Sequence, residues 1–270
     1  MPPMPPTTLP RLDDLMPGGR RHFLARMGAL GLVLGGCASR PVAPALPASS
    51  VPDRIAPFSA GELGAVPAGW APYKMLGSKP DSHYAVAEVA GRKVLEGLAD
   101  TDGGASALEC PLSVALGAET TLSWRWMSHT VPKEARSDDS DLDDAAARVV
   151  VSFEGPVDQL SLKDRLFYEM VHTFTGKQLP YATLIYVWDS QLPVGSVVPY
   201  GRTSRIQFLV VQSGTSQCGQ WMPHERRLAQ DYAQVWHEPV PPRLSSVGVM
   251  VDSDDLHQRQ VTWFDDLQVR

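Results

Sequence analysis

Residues 120–127 read TTLSWRWM, and this stretch decides the fold class. Its apolar residues alternate with polar or charged ones, which is the period of two that a β-strand produces because successive side chains point to opposite faces. The alternation puts Leu122, Trp124 and Trp126 on one face and predicts that this face packs into a core. Arg125 lies on the other face. The stretch therefore predicts a half-buried strand.

Similar β-rich segments occur along the rest of the chain, separated by clusters of turn residues. Residues 90–92 (AGR) separate two of them and predict a hairpin. Short strands at this spacing are typical of a β-sandwich or a barrel. The predicted strands cover residues 84–89, 93–98, 120–127, 147–153, 183–188, 205–212, 244–251 and 260–269.

Two short helices interrupt the strands. Ser161 is the predicted N-cap of the first helix, with Asp164 at its third position, and Gly176 is its predicted end. Six apolar residues predict the face that packs on the domain: Leu162, Leu166, Phe167, Met170, Val171 and Phe174. A shorter helix is predicted over residues 229–236. The predicted fold class is mainly β, a β-sandwich with one or two short helices.

The first 37 residues predict an export signal. Arg20 and Arg21 resemble the paired arginines of the twin-arginine export route, and an apolar run follows them. The sequence LGGC at residues 34–37 resembles a lipobox, in which the thiol of Cys37 is acylated and becomes the new N-terminus. The apolar run is shorter than the roughly 20 residues that cross a bilayer. Two alternatives stay open: a cleaved signal without lipid, and a short N-terminal helix with a buried cysteine.

Residues 38–57 are rich in proline and alanine without a helical or strand period, which predicts an extended linker. Ala38 stands where many lipoproteins retained at the inner membrane have an aspartate, so the predicted destination is the outer membrane. We therefore expect a lipoprotein on the periplasmic side of the cell envelope, with one folded domain over residues 58–270. Its membrane contact is the lipid on Cys37.

The charge of the chain behind the signal argues against a nucleic-acid partner. From residue 38 onward there are 20 basic and 28 acidic side chains, a formal charge of −8. An acidic domain without a stripe of basic residues binds the phosphate backbone of nucleic acids poorly. Two cysteines remain in this part, Cys110 and Cys218. They either form a disulfide in an oxidising compartment or stay two isolated thiols.

Three groups of motifs carry a family resemblance. They are LSWRW at 122–126 with DDAAARV at 143–149, YATLIYVW at 181–188, and Trp221 with ERR at 225–227 and GVMVDSD at 248–254. In this order and spacing the chain resembles the bacterial domain family of unknown function DUF3047, from about residue 58 to residue 270. The resemblance implies a jelly-roll-like β-sandwich, similar to galactose-binding-like and carbohydrate-binding modules, and no established activity.

The last motif of the chain is WFDDLQV at residues 263–269. It resembles the last strand of many carbohydrate-binding modules. In those modules the first aspartate of the motif, here Asp265, often ligates a structural calcium ion. The resemblance thus implies calcium at Asp265, and no other cofactor is predicted.

Polar and aromatic residues outside the predicted core are the candidates for ligand binding. An arginine can donate two hydrogen bonds to one carboxylate. We therefore predict that Arg125, Asp144 and Arg148 form a polar cluster on one sheet face. This cluster either holds a ligand such as an anionic sugar or is a structural ion network. Tyr186 and Trp188 share one side of their strand and offer flat rings to a sugar, with core packing as the alternative.

The sequence contains no recognised catalytic motif, so no catalytic residue is assigned. The first hypothesis is non-catalytic binding of a glycan or another envelope component through one face of the sandwich, with Asp231 as a further candidate ligand-binding residue. The alternative is a polysaccharide hydrolase or lyase that uses Asp144 opposite Glu154 or Asp231. A structural or assembly lipoprotein with an unknown protein partner is the third hypothesis.

Overall fold

Two β-sheets pack face to face in the computed structural model, which describes residues 51–74 and 79–270. The predicted signal with Arg20, Arg21 and Cys37, and most of the predicted linker, lie outside the described residues. A sandwich forms because each sheet has one apolar face, and packing these faces together removes both from water. The prediction of a mainly β, jelly-roll-like sandwich with two short helices is confirmed.

The larger sheet has seven strands. In spatial order they are β1 (Ala71–Tyr73), β4 (Ala105–Ala115), β11 (Arg243–Asp252), β6 (Ala147–Glu154), β7 (Ala182–Asp189), β9 (Ile206–Ser213) and β8 (Val197–Pro199). All neighbouring strands are antiparallel except β7 and β9, which are parallel.

The smaller sheet is antiparallel throughout. In spatial order its strands are β10 (Met222–Arg227), β5 (Thr121–Ser128), β12 (Gln260–Phe264), β3 (Arg92–Ala99) and β2 (His83–Val89), and the short β13 (Gln268–Val269) also pairs with β5. The predicted hairpin joins β2 to β3 through Ala90 and Gly91, whose φ angles are 50° and 77°. The predicted strand over residues 260–269 is divided, because the chain leaves the ladder between β12 and β13.

Strands β4 and β10 were not predicted from the sequence. Pro111 lies inside β4, and a proline cannot donate a hydrogen bond to the ladder, so the segment does not read as a central strand. In the structure the pairing of β4 with β11 shifts register between Leu244 and Ser246, next to Pro111. A bulge thus accommodates the proline.

The tryptophans of β5 lie in the core, as predicted. Trp124 and Trp126 are buried between the sheets, and their rings pack against Tyr186 and Trp188 of the opposite sheet at centroid distances of 5.1 and 6.2 Å. The indole nitrogen of Trp126 donates a hydrogen bond to Gln212 Oε1 at 2.7 Å. The stretch TTLSWRWM therefore supplies the centre of the sandwich.

The two helices are α1 (Leu162–Thr175) and α2 (Leu228–Trp236). The predicted cap of α1 is present, since Ser161 Oγ accepts a hydrogen bond from the backbone N–H of Asp164 at 3.2 Å. Gly176 ends the helix with a φ angle of 70°. Within the part of the chain that the structure describes, no helix has the length and apolar character needed to cross a membrane.

The predicted apolar face of α1 is wider than the face that the sandwich buries. Phe167 and Val171 are buried together with Tyr168. The other four residues of the predicted face remain exposed to solvent: Leu162, Leu166, Met170 and Phe174. The sandwich covers only one side of the helix, so four of the six predicted residues lie on the exposed side.

Candidate binding groove

An open groove of about 680 Å³ runs over the face of the larger sheet that points away from the core. The central row of its floor crosses five neighbouring strands. Each residue of this row is paired in register with the next one. The row is formed, in order, by Glu109, Gly248, Val150, Ile185 and Phe208. Gly248 has no side chain, which deepens the floor between Glu109 and Val150.

The strands that form the floor also form the core. In β6, Val149 and Val151 are fully buried between the sheets, whereas Arg148, Val150 and Ser152 line the groove. Alternate residues of a strand point to opposite faces, so one short sequence builds both surfaces.

Helix α1 supports one wall of the groove. Phe167 packs edge-to-face against Tyr200, with a centroid distance of 6.3 Å, and both belong to a cluster with Leu179. Leu179 and Tyr200 line the groove. Lys177, which follows the helix, places its Nζ 4.4 Å from the centroid of the Tyr73 ring at the β1 edge of the sheet. The segment after α1 therefore connects both edges of the groove.

The side chain of Asp164 connects α1 to the loop that follows β8 through hydrogen bonds. Its carboxylate accepts hydrogen bonds from Thr203 Oγ1 at 2.6 Å and from the N–H of Ser204 at 2.8 Å, besides the capping contact with Ser161. Burial opposes ionisation, but these hydrogen bonds outweigh it and lower the pKa of Asp164 to about 2. The wall is thus held by an ionised carboxylate at neutral pH.

A buried arginine forms the charged end of the groove. The Nη1 of Arg148 donates to Asp252, and its Nη2 donates to Asp143 Oδ1 at 2.8 Å and to the carbonyl of Asp143 at 2.6 Å. Its Nε has no hydrogen-bond partner among the described residues. Burial alone would lower the pKa of Arg148, but the carboxylates, Asp252 first, raise it. The guanidinium therefore stays charged.

The carboxylates around Arg148 are hard to ionise. Burial raises the pKa of Asp143 to about 6; Arg148 counteracts this shift, while Asp255 and Asp254 add to it. Burial also raises the pKa of Asp252 well above its usual range. More carboxylates than cations meet at this end, which favours the protonated form of these carboxyl groups.

The raised pKa of Asp143 makes stability depend on pH. Its carboxyl binds a proton with a pKa of about 6 in the folded protein and 3.8 ordinarily, so the folded state binds the proton first as the pH falls. We expect the free energy of unfolding to rise by roughly 2–3 kcal/mol between pH 7 and pH 4. Urea unfolding of Asp143→Asn should show most of this rise removed. A variant with the same pH dependence as the wild type would refute the assignment.

Aspartates from two separate segments, residues 143–144 and 252–255, meet at this end. Asp144, Asp254 and Asp255 bring carboxylate oxygens within 4.8 Å of one another. The carboxylate of Asp144 accepts the backbone N–H groups of Asp255 and Leu256, at 3.0 and 2.8 Å. Asp254 accepts a hydrogen bond from the ammonium group of Lys79. Lys79 and two backbone N–H groups thus provide part of the hydrogen bonding of these carboxylates.

Arg125 lies on the other side of the sandwich, on the outer face of the smaller sheet. It lines a shallower pocket of about 560 Å³ and pairs with Asp265. Arg92 Nη2 donates to the same carboxylate at 2.9 Å, and the other oxygen of Asp265 accepts the N–H of Asp266 at 3.0 Å. Two guanidinium groups therefore contact the carboxylate at which the resemblance implies calcium, and the calcium ion at Asp265 stays a prediction.

The predicted cluster of Arg125, Asp144 and Arg148 is wrong. Arg125 belongs to β5 of the smaller sheet and Arg148 to β6 of the larger sheet, and each faces outward from its own sheet. Asp144 is buried beside the loop after β11. Consecutive strands lie in different sheets here, so residues that share a pattern end on opposite sides of the sandwich.

The prediction that Tyr186 and Trp188 are sugar platforms is wrong, and the alternative of core packing is correct. Both side chains are fully buried. The hydroxyl of Tyr186 donates to Asp231 Oδ2 at 2.8 Å, and Arg226 Nε donates to the same oxygen at 2.8 Å. Asp231 is buried with them, so it holds the core together and does not reach a ligand.

The carboxylate pairs expected for a hydrolase do not face each other. Asp144 and Glu154 lie at opposite ends of β6, and Glu154 pairs with Arg243 at 3.7 Å. Asp231 lies between the sheets, away from the groove. Cys110 and Cys218 are free thiols, so the disulfide alternative is corrected to two isolated cysteines.

Four residues that line the groove were not predicted from the sequence: Tyr73, Asp143, Tyr200 and Asp252. Asp252 lies two residues after Met250 in β11 and therefore shares its face, and Met250 is the register partner of Arg148. The sequence shows that Met250 and Asp252 share one face of their strand, but it does not show that β11 pairs with β6.

Solved structures that resemble the sandwich do so at low similarity. The module TmCBM61 in complex with β-1,4-galactotriose is 12% identical with a TM-score of 0.34, covering 80% of this chain and 94% of that one. Endoglucanase 3 of Trichoderma harzianum, from family GH12, is 8% identical with a TM-score of 0.40, covering 82% and 96%. The xyloglucanase domain of NopAA from Sinorhizobium fredii, in complex with cellobiose, is 10% identical with a TM-score of 0.41, covering 75% and 93%. Similarities this weak are not evidence for a shared ligand or activity.

Among curated proteins the sequence has no significant match. Residues 68–268 match the family described as protein of unknown function DUF3047. The matched range begins before β1 and ends in β13, so it includes every strand of both sheets and the whole groove floor. The motifs that carried the resemblance lie inside it. The chain belongs to the DUF3047 family.

Proposed function

We propose that this protein is an exported, lipid-anchored protein of the cell envelope that binds a glycan or another envelope component in the groove of its larger sheet, without catalysis. The observation that carries the proposal is the groove itself, a concave surface of about 680 Å³ with an apolar floor and a charged end. Concave, mostly apolar surfaces with a few polar groups at fixed positions are typical of binding sites.

The groove has the chemistry that a sugar chain needs. Val150, Ile185 and Phe208 offer apolar surface to the C–H faces of sugar rings. Burial raises the pKa of Tyr73 to about 12, so its hydroxyl is a neutral hydrogen-bond donor at the edge. Asp143 at the charged end accepts hydrogen bonds from hydroxyl groups.

The charge of the groove selects among glycans. Five acidic side chains line it, against three basic ones. Arg148, the most buried of the cations, is already paired with two of the carboxylates. We therefore assign a neutral or amine-bearing glycan and not the anionic sugar that was one alternative from the sequence, because a polyanion would meet like charges.

The second part of the proposal is the location of the protein in the cell. The paired arginines Arg20 and Arg21 and the LGGC sequence ending at Cys37 support export and acylation, followed by a proline-rich linker. Two acyl chains on one residue anchor a protein stably. The domain then stands on the periplasmic side of the envelope, at the outer membrane, with its groove open to envelope polymers.

A glycan array with the purified full-length protein tests the binding site. We expect Ile185→Arg to weaken binding of any retained glycan by at least about tenfold, because the new charge occupies the apolar floor. Tyr200→Ala should weaken binding less, by opening one wall. Met127→Arg is the matched control, since Met127 lies on the outer face of the smaller sheet. An array without any retained glycan, or equal binding by Ile185→Arg, would contradict the proposal.

A polysaccharide hydrolase or lyase is the second candidate. It is favoured by one observation, the partly exposed Asp143 whose pKa is raised to about 6 by burial, a value suited to a general acid. Release of new chain ends from a bound polysaccharide, lost in Asp143→Asn, would favour this enzyme over a binding protein.

A further inference from the structure

Four large apolar side chains form a ridge on the solvent side of α1. Leu162 is 66% exposed, Leu166 62%, Met170 36% and Phe174 74%. They recur every four residues, so they follow one another along one side of the helix. We call these four residues the α1 ridge.

The α1 ridge is not part of the packing that holds the helix on the domain. That packing uses Phe167, Tyr168 and Val171, which are buried on the other side. Asp164 and the cap at Ser161 fix the N-terminal end. The helix is thus rigidly mounted and presents its apolar ridge outward.

Cations border the ridge in a domain that is otherwise acidic. Lys163 lies three residues before Leu166, and Arg165 lies three residues after Leu162, so both are neighbours of the ridge on the helix surface. Both are exposed, and Glu169 is the one exposed acidic residue of the helix. Lys163 and Arg165 outnumber Glu169, so the helix surface has a small excess of positive charge in a domain whose formal charge from residue 38 onward is −8.

The size of the ridge argues against a second copy of the chain as its partner. From the exposed fractions, the four side chains offer roughly 500 Å². A stable protein interface takes about 800 Å² from each partner. Apolar side chains flanked by Lys and Arg instead match an interfacial helix, whose apolar face enters the lipid while the cations meet anionic headgroups.

The first described residues of the chain contact the larger sheet close to the end of β6. The carbonyl of Pro52 accepts a hydrogen bond from the N–H of Ser113, and Arg243 Nε donates to Ser113 Oγ at 3.0 Å. Arg243 also pairs with Glu154, the last residue of β6, and α1 begins soon after that strand. Cys37 is 14 residues before Val51, a span of at most about 50 Å.

From these observations we infer that the α1 ridge is a membrane-docking surface, which lays the sandwich against an anionic phospholipid bilayer. The choice of a bilayer rests on the proposed anchoring at Cys37. Docking through α1 gives the tethered domain one fixed orientation, with Lys163 and Arg165 toward the headgroups. The partner is thus a lipid surface and not another protein.

Hydrogen–deuterium exchange of the full-length protein tests the inference, with vesicles of phosphatidylethanolamine and phosphatidylglycerol. We expect exchange of the α1 amides to slow by at least about tenfold on the vesicles relative to the free protein, with little change in α2. Leu166→Ser with Phe174→Ser should abolish this protection and leave co-sedimentation through the anchor intact. Val194→Ser, which removes a side chain of similar exposure outside the ridge, is the matched control.

The outcomes separate the ridge from the anchor. Co-sedimentation with unprotected α1 amides overturns the docking surface and leaves the anchoring at Cys37 standing. Absence of both overturns the docking surface and the anchoring together. Protection that persists in the double variant also overturns the assignment. Leu162→Ser with Met170→Ser gives a second test of the same ridge, should the first variant fold poorly.

Discussion

Replacing Arg148 by methionine is expected to lower the free energy of unfolding by about 3–5 kcal/mol at neutral pH. The guanidinium of Arg148 is buried and is paired with the carboxylates of Asp252 and Asp143. Methionine fills a similar volume but carries no charge, so the two carboxylates lose the buried cation that pairs with them. Most of the loss comes from leaving the carboxyl groups of Asp252 and Asp143 without the donors that Arg148 supplies.

The size of this loss should depend on pH. Burial already raises the pKa values of Asp143 and Asp252, so both carboxyls bind protons more readily in the variant. We expect a smaller loss at pH 5 than at pH 7.5 in urea unfolding, because a neutral carboxyl needs no counter-ion.

Arg243→Met is the control for Arg148→Met. Arg243 pairs with Glu154 at 3.7 Å, and both side chains are largely exposed. Exposed pairs contribute about 1 kcal/mol or less, so this variant should stay close to the wild type. A loss for Arg148→Met as small as that of the control would mean that the charged end of the groove does not depend on this arginine.

Replacing Asp231 by alanine is the second substitution with a large expected effect, about 3–5 kcal/mol of unfolding free energy. Arg226 Nε and Nη2 donate to its two oxygens at 2.8 and 2.5 Å, and the hydroxyl of Tyr186 donates at 2.8 Å. Arg226 belongs to the smaller sheet and Tyr186 to the larger one. Asp231 of α2 thus connects both sheets, and its removal leaves buried donors without an acceptor.

Two milder variants calibrate this effect. Asp231→Asn keeps an acceptor oxygen but removes the charge, so its loss should be smaller than that of alanine. Tyr186→Phe removes one donor and should cost about 1–2 kcal/mol. Glu119→Ala, which breaks an exposed contact with Arg227 at 3.5 Å, should leave stability unchanged within about 0.5 kcal/mol. If Asp231→Ala behaves like Glu119→Ala in denaturant unfolding, the inter-sheet role is refuted.

Local patterns predicted much of the framework. The alternation in residues 120–127 correctly put Trp124 and Trp126 in the core, since the faces of a strand depend only on neighbouring residues. Ser161 and Gly176 correctly bounded α1 for the same reason, because a cap acts within one turn.

Patterns failed where two surfaces carry similar residues. Tyr186 and Trp188 lie on the core side of β7, whereas Ile185 lies on the groove side. Both sides of this strand are covered, the first by the smaller sheet and the second in part by the groove walls, so apolar character did not separate them. The prediction for α1 failed for the same reason. The width of its apolar stripe does not show which part of the helix surface the sandwich covers.

By itself the sequence determined the sandwich class, the inward face of β5, the caps of α1 and the membership of the DUF3047 family. Only the tertiary structure decided which polar residues meet. Arg148 and Asp252 are 104 positions apart and come together because β6 and β11 pair in one register, while Arg125 lies in the other sheet with Asp265. Strand order and register arise from the packing of whole sheets, and no local period of the chain encodes them.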